Sequence, residues 1–354
     1  MHLTLKPGGS NVQQKTQRRV AGACFALLVL AGTTACGSSS NSGTSKDGLA
    51  TVKVMMFPGQ AYRLPIVLAQ QEGFFKEHGI TLEVVAQPNG ITGAQGMAAT
   101  QAQVGHLSIS TVAQGWQAGQ DFPFFCGGID VTQTTLVAAT DSKLPSTADG
   151  ATWQQVLQAL RGKKIGIQTP VGSGLQLLFA EALKEAGVTD VTYVNLGGTP
   201  ATTEAALANG SIDVAQINPP GTQVMQAEGY GKRLIYMPDG PSAYKDYYGS
   251  GLVAPRAWLE ANPKIAANFC DAVKESLDFI ADPANAETSQ ALLEKDAGVP
   301  ADAAKLVVAT AYKDFSTQLS QATIDKTLSA YVKLGILKAD PKPTYDSLVV
   351  VPAS

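Results

Sequence analysis

The strongest constraint on the fold is that predicted strands and helices alternate, and that this alternation starts twice. The first series begins with a β-type run at residues 51–57 and a helix at 64–76. The second begins with a short buried strand at 165–167 and a helix at 175–186. Such alternation favours parallel sheets covered by helices. The sequence therefore predicts an α/β fold with two doubly wound lobes.

The first 48 residues indicate export. Arg18 and Arg19 precede an apolar run at residues 20–31, and small residues then lead to Cys36. A basic start, a short apolar core and small residues before a cleavage site are typical of a secretory signal. About 12 apolar residues are too few to cross a hydrocarbon core of roughly 30 Å. Residues 37–48 are rich in Gly and Ser, which predicts a flexible tether.

The small residues that end in Cys36 resemble the lipobox of bacterial lipoproteins, in which the cysteine becomes the first residue and carries lipid on its sulfur. Thr33 stands where that box usually has Leu. We expect residues 1–35 to be removed and Cys36 to carry palmitate-type lipid. Residues 36–48 would then tether the protein to the outer face of the cell membrane. The alternative is an ordinary signal peptide with an incidental cysteine.

Composition and charge narrow the choice of partners. The chain has 354 residues, which exceeds one ordinary core and suggests two domains. It contains 26 basic and 29 acidic residues, and the signal segment removes bases but no acids. The mature protein is therefore acidic, and its Lys and Arg residues are scattered. Nucleic acid and anionic membrane surfaces are accordingly poor partners.

Two cysteines, Cys126 and Cys270, belong to the predicted globular part. In an oxidising compartment such a pair can form a disulfide. The alternative is two buried thiols without a bond between them, because free cysteine is often buried.

Signatures of enzymes are missing from the sequence. It has no G-x-S-x-G, H-E-x-x-H or Walker loop. His78 is interpreted as a residue at a helix C-terminus, and His106 as a structural histidine in a strand. The glycines around Ser173 begin like a dinucleotide loop, but Leu177 replaces the third glycine. We therefore expect no catalytic residue, no metal and no cofactor.

Four strand-to-helix loops carry the candidate ligand-binding residues. Open α/β sheets bind ligands beyond the carboxyl ends of their strands, and helix N-termini offer free N–H groups there. The loops supply aromatic rings, amides and hydroxyls. The nominated residues are Phe57, Gln60, Tyr62, Ser110, Thr111, Thr169, Ser173 and Asn218. The alternative for each loop is turn chemistry, which favours Gly, Pro, Asn and Ser in any case.

The nominated loops contain one charged residue, Arg63, which we interpret as a solvated residue at a helix start. Backbone N–H groups and hydroxyls near Thr111 and Ser173 would then recognise an anionic group. Phe57 and Tyr62 would cover an apolar or aromatic body. The prediction is a compact organic solute with one anionic or strongly polar end, such as a sulfonate or carboxylate.

Three segments resemble the solute-binding lipoproteins of ABC importers. They are PIVLAQQEGFFKEHGI at 65–80, LRGKKIGI at 160–167 and AALANGSIDVA at 205–215. The chain looks closest to the group that binds sulfonates, taurine, nitrate and thiamine-precursor pyrimidines, over roughly residues 50–340. It departs at Gly105-His106, where an Asp is usual. Pyrimidine-synthesising relatives carry a cysteine-rich stretch, which this sequence lacks.

The resemblance implies a periplasmic-binding-protein type II fold with a ligand between two lobes. Lobe 1 would comprise residues 49–139 and 250–354, and lobe 2 residues 140–249, with crossings near 136–140 and 248–253. It also implies hinge closure, an ABC permease and ATPase as partners, a monomeric protein and no enzymatic activity. The alternatives are a sensor lipoprotein on the same scaffold, a binder of a pyrimidine-type thiamine precursor, and an enzyme.

Overall fold

The computed structural model describes residues 48–86, 90–99, 101–197, 200–245 and 247–352. The predicted signal segment, Cys36 and residues 37–47 of the predicted tether lie outside these residues. The described chain forms two five-stranded mixed sheets with helices packed on them, which confirms the predicted α/β class. Among its helices, none is both long enough and apolar enough to cross a bilayer.

The elements follow one another in the order that the alternation predicts. The strands are β1 (Ala50–Met56), β2 (Ile80–Ala86), β3 (Val104–Ser108), β4 (Phe124–Ile129), β5 (Thr135–Ala139), β6 (Lys164–Ile167), β7 (Thr192–Asn195), β8 (Val214–Ile217), β9 (Gly231–Tyr236) and β10 (Ser250–Val253). The α-helices are α1 (Leu64–Gln71), α2 (Phe74–Glu77), α3 (Gly90–Ala98), α4 (Ile109–Gln117), α5 (Trp153–Gln158), α6 (Gly174–Glu185), α7 (Pro200–Ala208), α8 (Gly221–Glu228), α9 (Arg256–Ala261), α10 (Pro263–Ala281), α11 (Ala286–Ala297), α12 (Ala301–Thr310), α13 (Gln321–Lys333) and α14 (Tyr345–Leu348).

Each sheet contains a strand that arrives directly from the other sheet. The first sheet has the order β2-β1-β3-β10-β4, and the second has the order β7-β6-β8-β5-β9. β1 pairs in parallel with β2 and β3, whereas β10 is antiparallel to β3 and β4. β5 is likewise antiparallel to β8 and β9. The sheets are therefore mixed rather than parallel throughout.

The pairing of β5 changes the predicted boundary between the two parts of the chain. Residues 135–138 pair with β8, so the first passage between the sheets spans residues 130–134. The predicted crossing at 136–140 lies instead almost wholly within a strand of the second sheet. The return passage spans residues 237–249 and leads into β10, close to the predicted crossing at 248–253. The predicted lobe 1 therefore included, in β5, a strand that pairs in the second sheet.

Both faces of the strands are apolar, so a hydrophobic core forms on each side of the sheet. In β1, Val52, Val54 and Met56 pack with Phe269 on the face covered by α1 and α10, while Met55 packs on the opposite face. Successive strand residues point to opposite faces, so a run of apolar residues buries both. Continuous apolar strands of this kind are typical of sheets with helices on both sides.

A disulfide joins Cys126 of β4 to Cys270 of α10, with a Cα–Cα distance of 5.6 Å. This separation lies within the range that a disulfide allows. The bond fixes the longest helix of the described chain to the first sheet, across a sequence separation of 144 residues. Of the two alternatives that the sequence left open, the structure contains the bridge.

We expect the double substitution C126A/C270A to lower the free energy of unfolding by about 2–4 kcal/mol, because the bond restricts the unfolded chain over a long loop. Denaturant unfolding of the oxidised protein measures the change, and a reductant should have no further effect on the variant. Mass spectrometry of unreduced peptides provides the direct check. Finding both residues as free thiols, with equal stability of the two proteins, would contradict the prediction.

Candidate functional site

The four nominated loops all lie at the carboxyl ends of strands. Phe57 follows β1 and Ser110 follows β3, both in the first sheet. Thr169 and Ser173 follow β6, and Asn218 follows β8, both in the second sheet. The loops therefore come from equivalent ends of two different sheets, which is where ligands bind in open α/β proteins.

Three hydroxyl groups meet at the first turn of α4. Ser108 caps the helix by accepting a hydrogen bond from the Thr111 backbone N–H at 3.2 Å. Its Oγ also lies 3.0 Å from Ser110 Oγ and 2.9 Å from Thr111 Oγ1. The capping residue is thus Ser108, which the sequence analysis did not nominate. Its position leaves Ser110 on the first turn, where the side chain is buried.

The first turn of α6 has a similar arrangement. Ser173 caps the helix by accepting a bond from the Gln176 backbone N–H, and its Oγ donates to Thr169 Oγ1 at 2.8 Å. Gln176 in turn accepts from the Gly172 backbone N–H at 2.9 Å. Thr169 and Ser173 are therefore together, as nominated, and Ser173 also fulfils the ordinary role of an N-cap.

The first turns of α4 and α6 are in direct contact, although the two helices follow strands of different sheets. A Cβ at position 174 would lie 2.5 Å from the Cβ of Ser110 and 2.6 Å from its Oγ. Two helix N-termini thus converge at one point. Each contributes the partial positive charge of a helix start, although the Thr111 and Gln176 N–H groups are already capped, so the point of contact favours a negative or strongly polar partner.

The amide group of Asn218 forms hydrogen bonds to two separate segments of the chain. Its Oδ1 accepts a hydrogen bond from the Thr134 hydroxyl at 3.1 Å, and its Nδ2 donates to Gln168 Oε1 at 3.5 Å. Thr134 belongs to the first passage between the sheets, and Gln168 follows β6. Asn218 therefore links the passage to the loop that precedes α6.

Phe57, Tyr62 and His106 form an aromatic group at the end of the first sheet. The rings of Tyr62 and His106 are stacked with centroids 4.1 Å apart, and Phe57 meets Tyr62 edge-on at 6.2 Å. Burial raises the pKa of Tyr62 far above its usual value, and its hydroxyl has no partner at hydrogen-bonding geometry. The adjoining cavity of about 20 Å³, next to Gly127 and Gly128, has room for about one water molecule.

His106 is buried and neutral. Burial lowers the pKa of its imidazole to about 3. Its Nε2 lies 3.4 Å from the hydroxyl of Ser250, which stands opposite Ser108 in the sheet. The ring is therefore a neutral packing partner of Tyr62.

Arg63 corrects one of the sequence-based interpretations. It is not a solvated residue, because its Nε and its Nη2 each donate to a carboxylate oxygen of Asp296 at 2.7 Å. Both side chains are mostly buried, at 11% and 16% exposure. Asp296 lies on α11, which packs on α1, and no local pattern connects the two residues. The guanidinium is thus already neutralised within the protein.

Two carboxylates beside the passages were missed by the sequence analysis. Asp314 accepts hydrogen bonds from Gln133 Nε2 at 3.0 Å and from the Tyr236 hydroxyl at 3.1 Å. Burial raises the pKa of Asp130 to about 6, opposed by a hydrogen bond with Ser316 and aided by the charge of Asp314. These residues are far apart in the sequence and form no motif, so the sequence analysis did not identify them. Their carboxylates place hydrogen-bond acceptors along one side of the passage at residues 130–134.

A larger cavity, of about 350 Å³, lies between α13 and the chain from Lys342 to Asp346. Asp325, on its wall, accepts a hydrogen bond from the Tyr345 backbone N–H at 3.1 Å. None of the nominated residues lines this cavity. Several of the nominated residues lie instead at the converging helix starts, which are therefore the better candidate for a ligand site.

The buried imidazole gives a prediction about acid stability. The folded protein leaves His106 unprotonated above about pH 3, whereas the unfolded chain binds a proton there below about pH 6.5. Stability therefore falls with acid between these values, by at most about 1.4 kcal/mol per pH unit. His106→Gln should flatten the pH dependence in denaturant unfolding from pH 7.5 to 4.5.

Asp130 supplies the matched contrast. Its pKa is raised in the folded state, so the folded protein binds a proton that the unfolded chain does not between about pH 6 and 3.8. This group therefore gains stability as the pH falls, and Asp130→Asn should make the acid-side loss steeper. Profiles for both variants that run parallel to that of the unaltered protein would contradict these assignments.

Comparison with known proteins places the chain in a family. The NMT1/THI5-like family model matches residues 60–286, more than half of the 354 residues. A 4-amino-5-hydroxymethyl-2-methylpyrimidine phosphate synthase from Aspergillus parasiticus is 28% identical over 304 residues, covering 80% of this chain and 82% of the synthase.

Solved structures share the fold at low identity. The alkanesulfonate-binding protein SsuA from Xanthomonas axonopodis pv. citri, bound to MOPS, has a TM-score of 0.67 and 18% identity, covering 85% of this chain and 98% of SsuA. The periplasmic nitrate-binding protein NrtA from Synechocystis PCC 6803 has a TM-score of 0.67 and 15% identity, covering 85% of this chain and 86% of NrtA. The resemblance seen in the sequence is confirmed: the chain belongs to the NMT1/THI5-like family and has the periplasmic-binding-protein fold.

Proposed function

We propose that this protein is the solute-binding lipoprotein of an ABC importer, which captures a small organic solute and delivers it to a permease. The observation that carries the proposal is the contact between the first turns of α4 and α6, which brings Ser110, Thr169 and Ser173 to one point between the sheets. The fold is shared with an alkanesulfonate-binding protein and with a periplasmic nitrate-binding protein, which supports the same class of role here.

In this proposal each sheet with its helices acts as one lobe. The passages at residues 130–134 and 237–249 are the covalent links between the sheets in the described chain. Hinge closure absorbs rotation at a few residues at the ends of elements. The hydrogen bonds of Asn218 to Thr134 and Gln168 lie at one of these links, so Asn218 would steady the hinge as well as line the cleft.

The charges near the cleft favour a solute with two unlike ends. Helix N-termini and hydroxyls at Ser110 and Ser173 suit an anionic or strongly polar group such as a sulfonate or carboxylate. Arg63 is already paired with Asp296, so the solute receives no charge from it. The rings of Phe57 and Tyr62 would cover the body of the solute.

A pyrimidine-type thiamine precursor is the second candidate solute. The curated relative, a pyrimidine phosphate synthase, favours it, as do the acceptors Asp130 and Asp314, which suit amino groups. The same relative is named as an enzyme, so catalysis is the alternative. This chain lacks the cysteine-rich stretch of the pyrimidine-synthesising relatives. Its cysteines stand singly at positions 24, 36, 126 and 270, and two of them form a disulfide. We therefore propose binding without turnover.

A ligand panel tests the function. Purified protein is heated with alkanesulfonates, aromatic carboxylates, nitrate and aminopyrimidines in turn. A solute present at about 100 times its dissociation constant adds about 2.7 kcal/mol of stability, which gives a clear rise in Tm. The proposal expects binding of at least one compound, unchanged in mass after release. A chemically altered product would contradict it and favour an enzyme.

With the solute identified, Ser173→Ala should weaken its binding by about 1–3 kcal/mol, because a polar group of the solute loses its partner. Ser320→Ala is the matched control, since Ser320 caps α13 through the same bond to the backbone three residues on. Both substitutions remove a cap and cost about 1 kcal/mol of stability. Equal affinities of the two variants in calorimetric titration would reject the site.

We also propose that the protein is exported and held at the outer face of the cell membrane by lipid on Cys36. Cys36→Ser should abolish lipid labelling, because the lipid is carried on the cysteine sulfur. Without its acyl chains the protein should stay uncleaved or be released from the membrane. Cys24→Ser is the control: Cys24 lies in the segment that is removed, so labelling should persist. A Cys36→Ser protein that is still lipid-labelled in the detergent phase contradicts the proposal.

A further inference from the structure

The contact between α4 and α6 leaves no room for a side chain at position 174. A Cβ there would lie 2.5 Å from Ser110 Cβ, 2.6 Å from Ser110 Oγ and 3.9 Å from the hydroxyl oxygen of Tyr331 on α13. Carbon atoms normally settle about 3.5–4.0 Å apart. A methyl group at position 174 would therefore push the two helix starts apart.

The backbone at position 174 gives no reason of its own for glycine. Gly174 is the first residue of α6 and does not have a positive φ, unlike Gly172 two residues earlier. Alanine fits an ordinary helical backbone and forms helices better than glycine does. The reason for glycine at this position is therefore the close approach of Ser110.

A second pair of helices joins the two sheets elsewhere. Val224 of α8 is buried among residues of α1, α11 and α12, and Gln223 Nε2 donates to Thr310 Oγ1 of α12 at 3.1 Å. α8 follows a strand of the second sheet, whereas α1 follows a strand of the first. Of these two helix contacts between the sheets, the α4–α6 contact is the one that lies among the nominated residues.

We propose that Gly174 determines how far the two lobes close over the solute. This inference rests on the proposed function, because it assigns a role within the same cleft. With glycine, the first turn of α6 reaches Ser110, so the two helix starts lie against each other. With any larger residue at position 174, the lobes cannot close fully. A solute bound at one helix start then makes no contact with the other helix start.

The test is an exchange of size across the contact. In Gly174→Ala the added methyl group meets Ser110, and in the double variant S110G/G174A the opposing side chain is removed, so the space is restored. Gly221→Ala is the matched control: Gly221 is the first residue of α8, and a Cβ there meets Ile217 at an ordinary 3.8 Å.

Closure is read from a spin-label pair on the full-length protein in detergent. Keto amino acids at Ala118 and Lys184 carry the labels, so the cysteines are untouched. Both positions are exposed, and they lie about 12 Å and 15 Å along α4 and α6 from the contact. Pulsed electron resonance then gives the distance distribution with and without the compounds of the panel. Thermal unfolding verifies that each variant is folded.

We expect Gly174→Ala to lower the population at the short distance about tenfold, equivalent to about 1.4 kcal/mol. Without added compound, S110G/G174A and Gly221→Ala should keep the distribution of the unaltered protein; the double variant is compared only in this state, because Ser110 also belongs to the proposed binding site. A Gly174→Ala distribution that does not change, or a double variant that stays open without compound, overturns the inference. If the distances respond as expected but no compound binds, the transport function fails while the role of Gly174 stands.

Discussion

The contact between Ser110 and Gly174 is the interaction on which the functional arrangement depends. It joins helices that follow β3 of one sheet and β6 of the other, and it does so at their first turns. Because the start of every helix carries partial positive charge, bringing two starts together concentrates that charge at one point. The nominated loops all follow the carboxyl ends of strands, namely β1, β3, β6 and β8.

The electrostatic character of the cleft follows from which charges are already used. Arg63 is held by Asp296, and His106 is kept neutral by burial, so no side-chain cation among these residues offers a free charge. Asp130 and Asp314 place acceptors beside the passage, opposite in sign to the helix starts. A site of this kind discriminates by the placement of donors and acceptors rather than by net charge. The solute proposed above, with a polar end and a flat or apolar body, would suit such a site.

The local features of this fold were readable from the sequence, whereas the long-range contacts were not. The strand ends and helix starts at Phe57, Thr169 and Ser173 follow from periodicity and capping, which involve neighbours in the chain. The pairing of Arg63 with Asp296 and the packing of Ser110 on Gly174 depend on how separate elements meet. For the same reason, residues 135–139 were assigned to lobe 1 although they pair in the second sheet. An apolar run in the sequence does not reveal its partner strand.

Amide hydrogen exchange during solute binding tests the central claim most directly, because it reports on both helix starts at once. The account predicts that a bound solute protects the backbone amides of residues 109–112 and 174–177 together, at the same solute concentration. Protection confined to one of the two segments, or to the wall of the separate cavity around Asp325 and Tyr345, would contradict a site formed between the two sheets.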